Sequence, residues 1–296
     1  MHGLTKSIPS LAVALLIGAN ATTAQPPPAH DLANQLRQSA TREFAYGIHL
    51  KPDANTLSAR AREFVPLIVR EVVADADMLQ IPPYFFGGCD VRWFAFPHWL
   101  EGRMSDWRRA FVNESSVAIS GTEHEQITFA WSMGKTTEGH ESADARETER
   151  QQQAIIIAVR ITLGLDGFPV VWEILDSRIQ YRVLYVSRSA EFLARKQFGD
   201  PLPQRQFAME RSVEEAPNVI LVRALEDGPV PMGPYLYVDG TNRIVSVLCR
   251  CNPAQVDQFV KEDLYQVQPV TPAEEAFSKA FAGVDLADAL RWPQGL

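Results

Sequence analysis

Two cysteines separated by one residue, Cys249 and Cys251, are the sharpest chemical feature of the sequence. On an extended strand both side chains point to one face, with Cα atoms about 7 Å apart. That separation is too long for a relaxed disulfide, so the two sulfurs can bond only if the chain turns there. Three interpretations stay open. They are a disulfide from Cys89 to either cysteine, three separate core thiols, and a redox or thiolate–metal site.

Histidines with neighbouring carboxylates form a second group of candidates. Glu123–Glu125 and Gly139–Glu141 each place an imidazole beside an acidic side chain. A zincin helix needs a second histidine four residues after the first, but Thr128 and Asp144 occupy those positions. His98 and His124 could ligate a metal with the cysteines, but at no diagnostic spacing. We therefore predict solvated turn residues here, and neither a metal site nor a cofactor.

The clearest strand pair flanks Asp166–Gly167, a dipeptide typical of a two-residue type I′ hairpin turn. The register of such a hairpin pairs Leu163 with Val170 and, on the other face, Arg160 with Glu173. Because Glu173 has apolar neighbours, it could be a buried acid with a raised pKa. Its position opposite Arg160 instead predicts a structural ion pair.

The elements that would position these residues predict an α+β fold. Helical spacing begins at Asp31 and ends near Gly47, and a second helical segment begins near Asn55 or Thr56. Period-two patterns and Asp-Gly turns follow, which favour antiparallel neighbours over βαβ crossovers. Helices are predicted again over residues 253–261, 272–281 and 286–290. The expected architecture is therefore N-terminal helices packed on a mostly antiparallel sheet of consecutive hairpins, with C-terminal helices.

The start of the chain is typical of an export signal. Lys6 precedes the apolar run Leu11–Ile17, and small residues follow where a signal peptidase cuts. The run is shorter than the roughly 18 to 20 residues of a membrane-spanning helix. We predict a signal peptide over residues 1–24, a proline-rich leader over 25–30, and a single domain over 31–296. The polar stretch 134–153 allows a boundary within that domain.

The net charge and the predicted cellular location restrict the classes of binding partner. The sequence has 28 basic and 36 acidic residues, a formal net charge of −8. An acidic surface repels phosphate backbones, so nucleic acid is disfavoured as a partner. We predict a secreted or periplasmic protein without membrane insertion after signal cleavage, whose partner is an unknown protein or small-molecule ligand.

The sequence leaves three functional hypotheses, and whether the protein is an enzyme stays open. The first is a non-catalytic binding or interaction module, whose surface would be the aromatic segment near Trp93 and Trp99. The second is an extracytoplasmic hydrolase that uses His98 or His124, although no Gly-x-Ser-x-Gly motif occurs. The third is a thiol or metal protein that uses Cys89, Cys249 and Cys251.

Overall fold

The computed structural model describes residues 29–296, except for 54, 56, 73–106, 108, 134–154, 177–178, 180, 241, 252–254 and 270–285. Its centre is one eleven-stranded sheet with the order β10-β9-β2-β1-β11-β3-β4-β5-β6-β7-β8. The strands are β1 (Phe44–Asp53), β2 (Leu67–Glu71), β3 (Arg109–Ile119), β4 (Thr122–Met133), β5 (Ile155–Leu163), β6 (Pro169–Asp176), β7 (Arg182–Ser187), β8 (Val219–Leu225), β9 (Pro234–Val238), β10 (Ile244–Cys249) and β11 (Val256–Pro269).

The α+β prediction, with helices packed on a sheet and C-terminal helices, was wrong, because the fold is mostly β. The described helices are α1 (Ala29–Ser39), α2 (Ala59–Phe64), α3 (Arg188–Phe198) and α4 (Leu286–Ala289). The predicted first helix ends early, since Phe44 already begins β1. Of the predicted C-terminal helices, 286–290 corresponds to α4, and 272–281 lies outside the described residues.

The predicted helix over residues 253–261 is replaced by the longest strand of the sheet. Val256, Phe259 and Val260 recur at three- and four-residue spacing, which imitates a helical stripe. In the structure β11 lies between β1 and β3 and is parallel to both. Those pairings join residues far apart in the sequence, so local periodicity could not indicate them. The sheet is consequently mixed, although most of its described pairings are antiparallel.

The hairpin of β5 and β6 keeps the predicted register away from its turn and loses it at the turn. Val159 lies opposite Ile174, and Arg160 lies opposite Glu173. A register shift after Thr162 then places Leu163 opposite Pro169 rather than Val170. A type I′ turn needs positive φ at both central residues, but only Gly167 has one, at 79°. The loop is therefore longer than the predicted two-residue turn.

Helix α1 lies between the two edge strands of the sheet. Arg37 on α1 donates from Nη2 to the carbonyl of Leu221 on β8, at 3.0 Å. Ser246 on β10 donates from Oγ to the carbonyl of Ala40, just after α1, at 2.8 Å. Tyr185 on β7 also donates to the carbonyl of Val245 on β10, at 3.4 Å. The sheet is thus nearly closed, with α1 filling the gap.

Apolar side chains pack on both faces of this curved sheet. The inner face carries the largest buried cluster, which includes Trp131, Trp172 and Tyr265. The outer face of β6, β7 and β8 is covered by α3 and α4. Among the described residues, none of the helices has both the length and the hydropathy needed to cross a bilayer.

Candidate functional site

The two neighbouring cysteines come together because the chain turns where the sequence analysis required a turn. Strand β10 ends at Cys249, whose backbone pairs with Pro234 of β9, and the turn follows at Arg250 and Cys251. The Sγ atoms of Cys249 and Cys251 are 3.1 Å apart, and both residues are thiols rather than halves of a disulfide. Only a small displacement separates this arrangement from the bond of about 2.05 Å in a disulfide.

The two thiols have different surroundings. The Cys249 side chain is buried, whereas Cys251 is exposed. Burial raises the pKa of Cys249 to about 11, and the adjacent side chain of Cys251 adds to the rise. Cys249 is therefore protonated at neutral pH, and Cys251 is the sulfur that a reagent can reach.

Arg250, the residue between the cysteines, holds the turn against the rest of the protein. Its Nε donates to the carbonyl of Gly233 at 3.1 Å. Its Nη2 donates to the carbonyls of Glu63 at 2.9 Å and Val65 at 2.6 Å. Burial lowers the pKa of this guanidinium. The three bonds fix the turn on the end of α2 and on the residue before β9.

Gly233 makes this attachment sterically feasible. A Cβ atom added at this position would lie 2.2 Å from the carbonyl oxygen of Phe64 and 2.7 Å from Nη2 of Arg250. The Gly233 amide also donates to the carbonyl of Glu63, at 3.0 Å. Only glycine allows the chain before β9 to approach α2 this closely.

A third sulfur continues the pair. Sγ of Cys249 donates to Sδ of Met232 at 3.8 Å, while Sγ of Cys251 donates to Sγ of Cys249. We call Cys251, Cys249 and Met232 the sulfur row. Cys249, in the middle of the row, is buried, whereas Met232 is partly buried and Cys251 is exposed.

The structure places Arg160 and Glu173 opposite each other and adds a second arginine. Nη1 of Arg160 lies 3.8 Å from Oε2 of Glu173, and Nε of Arg182 on β7 lies 3.0 Å from Oε1. The Glu173 side chain is completely buried. Burial raises its pKa, against the opposing effect of both arginines. Sequence reasoning missed Arg182, because the pairing of β6 with β7 was needed to bring it close.

His124 is buried instead of solvated, which contradicts the prediction for that turn. Its Nδ1 lies 3.0 Å from the carbonyl of Leu163, and its ring packs against Trp292 with centroids 5.1 Å apart. Its neighbours bind elsewhere: Glu125 pairs with Arg60 at 3.0 Å, and Glu123 accepts from Ser116 at 2.5 Å. The carboxylates adjacent in sequence therefore do not activate this imidazole.

Several sequence candidates lie outside the described residues, namely Cys89, Trp93, Trp99, His98 and His140. The link from Cys89 to either of the other cysteines accordingly stays a prediction. Within the described ranges, no group of three or more His, Cys, Asp or Glu side chains is arranged to hold a metal ion.

Comparison of the chain with protein-family models, with curated proteins and with solved structures finds no match. Function must therefore be argued from the site itself. Sequence reasoning identified both cysteines but missed Arg250 and Met232. Two sequence features could have indicated them. Arg250 is the charged residue between the two cysteines, and Met232 precedes Gly233 in a segment rich in proline and glycine.

Proposed function

We propose that this protein is a thiol–disulfide exchange protein whose Cys249–Cys251 dithiol reduces a disulfide of a partner protein. The observation that carries the proposal is the 3.1 Å separation of the two Sγ atoms, one exposed and one buried. An accessible attacking thiol beside a second thiol that resolves the mixed disulfide is what such exchange requires. An extracytoplasmic location, as the sequence predicts, would supply disulfide substrates.

The exchange proceeds in two balanced steps. Cys251, as a thiolate, attacks one sulfur of the partner disulfide; that bond breaks, and the other partner sulfur leaves and takes up a proton. Cys249 then loses its proton and attacks Sγ of Cys251, which releases the second partner sulfur as a thiol. The dithiol is oxidised to a disulfide, and the partner disulfide is reduced to two thiols.

Burial of Cys249 sets the direction of electron flow. A thiolate stabilised by its surroundings favours the reduced form and makes a strong oxidant. Cys249 has the opposite environment, because burial raises its pKa to about 11. The dithiol is therefore expected to act as a reductant.

Equilibration with glutathione redox buffers, followed by alkylation and peptide mass spectrometry, tests this proposal. Wild type should form a disulfide within the Cys249–Cys251 peptide. Cys249→Ser should retain glutathione on Cys251, because the resolving thiol is gone. Cys251→Ser should react far more slowly, and Cys89→Ser, the matched control, should behave like wild type. Alkylation of both thiols at every potential, or loss of exchange in Cys89→Ser, would overturn the proposal.

A further inference from the structure

Three sulfur atoms of two chemical types meet at one end of the sheet, and disulfide exchange uses only two of them. Sδ of Met232 lies 3.8 Å from Sγ of Cys249, and Sγ of Cys251 lies 3.1 Å from the same atom. Three sulfurs bound to one metal ion at about 2.3 Å stand roughly 4 Å apart when the site is trigonal. The Met232–Cys249 separation already has this value, and the two cysteine sulfurs need to separate by less than about 1 Å.

The position of Met232 is fixed by its surroundings. A Cβ atom added at Gly228 would lie 3.2 Å from Cγ and 3.3 Å from Sδ of Met232, so the side chain lies directly against the Gly228 backbone. Pro231 precedes Met232, and Gly233 after it is held by its bond to Glu63. Proline fixes φ and so restricts the segment. The thioether is thus held beside the cysteines in advance.

We propose that the sulfur row is a binding site for a soft monovalent cation, Cu(I), with Cys249, Cys251 and Met232 as ligands. Thiolate and thioether sulfurs select Cu(I) over harder divalent ions. The inference goes beyond the proposed function, because it requires Met232, which thiol–disulfide exchange does not.

The net charge of the site and the engagement of the nearby carboxylate also favour Cu(I) over zinc. Two thiolates and Cu(I) leave one negative charge, and the positively charged Arg250 stands between the two cysteines in the sequence. Zinc would need a fourth ligand. Asp227 is the nearby carboxylate, but its two oxygens accept from the amide and hydroxyl of Ser189, at 3.1 and 2.8 Å.

Binding exchanges protons for the metal. Each cysteine releases one proton as Cu(I) binds, so no electron is transferred and two protons enter solution. Because metal binding displaces these protons, the apparent affinity should rise with pH. The methionine contributes without a proton, so its effect should be the same at each pH.

Anaerobic titration of the reduced full chain with Cu(I), against a chromogenic Cu(I) chelator, tests the inference. Wild type should take up one Cu(I) ion in competition with the chelator. Cys249→Ser and Cys251→Ser should fail to compete for it. Met232→Leu should bind at least about tenfold more weakly, since even residues that only support a ligand cost that much. Met209→Leu is the matched control, because Met209 is buried among apolar residues of the other cluster.

The outcomes separate this inference from the proposed function. Met232→Leu should keep the wild-type reduction potential of the dithiol while it loses Cu(I) affinity. Equal affinity of Met232→Leu and Met209→Leu would overturn the metal site and leave exchange intact. X-ray absorption of Cu(I)-loaded wild type gives an answer independent of any variant. Three sulfur ligands around the copper support the site. Two sulfur ligands in linear coordination would show that Met232 is not a ligand.

Discussion

Replacement of Arg250 by alanine tests whether the thiol turn is held by the guanidinium. The change removes the three hydrogen bonds that the guanidinium donates to the carbonyls of Gly233, Glu63 and Val65. A hydrogen bond from a charged donor contributes about 1.5 to 3 kcal/mol. Desolvation of the guanidinium, which lowers the pKa of Arg250, offsets part of that gain. We therefore expect Arg250→Ala to lower the free energy of unfolding by about 3 kcal/mol.

Calorimetry and denaturant titration measure this loss. In a chain of this size 1 kcal/mol corresponds to about 2 to 4 °C, so Tm should fall by about 10 °C. Arg243→Ala is the matched control, because Arg243 is exposed and its backbone amide keeps its bond to Asp239. The control should change stability by less than about 0.5 kcal/mol. Arg250→Lys should fall between the two, since an ammonium with all its donors on one nitrogen cannot reproduce the spread of the guanidinium Nε and Nη2 donors.

A second readout concerns the thiols. Without the guanidinium the turn samples more conformations, so the two Sγ atoms spend less time near 3.1 Å. Intramolecular oxidation of the dithiol by oxidised glutathione should slow, because proximity supplies its rate advantage. The reasoning is refuted if Arg250→Ala is as stable as Arg243→Ala and its dithiol is oxidised as fast as that of wild type.

Two further predictions concern Glu173 and Gly233. Because burial raises the pKa of Glu173 above 4.5, the native state retains that proton to higher pH than the unfolded chain. The free energy of unfolding should thus fall as pH rises from 4.5 through the raised pKa. Urea denaturation at several pH values should show a shallower slope for Glu173→Gln, and equal slopes would contradict this. Gly233→Ala, whose Cβ would lie 2.2 Å from the Phe64 carbonyl, should cost about 1 to 3 kcal/mol. A wild-type Tm for this variant would show that the backbone shifts without cost.

The sequence predicted those parts of the fold that depend on neighbouring residues. The strands on either side of Asp166–Gly167 pair as expected away from the turn, with Val159 opposite Ile174 and Arg160 opposite Glu173. Errors arose where distant residues meet. β11 was taken for a helix because its partners, β1 and β3, are far away in the sequence. The closure of the sheet by α1, which lies between the edge strands β8 and β10, also leaves no pattern in the local sequence.

The candidate site shows the same division. Spacing alone identified Cys249 and Cys251 and stated the condition for their contact, a turn after the strand. It could not identify Met232, since that contact depends on the pairing of β9 with β10. The burial of Glu173 was equally out of reach, because it depends on the structure around β6 and β7 as well as on the hairpin.

Closure of the sheet explains how the thiol turn can be firmly held and still accessible. Edge strands expose backbone groups that invite pairing with another chain. Here Arg37 and Arg205 occupy the carbonyls of Leu221 and Val219 on β8, at 3.0 and 3.1 Å. On the opposite edge, Ser246 of β10, three residues before the strand ends, donates from its hydroxyl to the carbonyl of Ala40 in the α1 region. Helix α1 therefore meets β10 at Ser246, while Cys251, beyond the end of the strand, stays exposed.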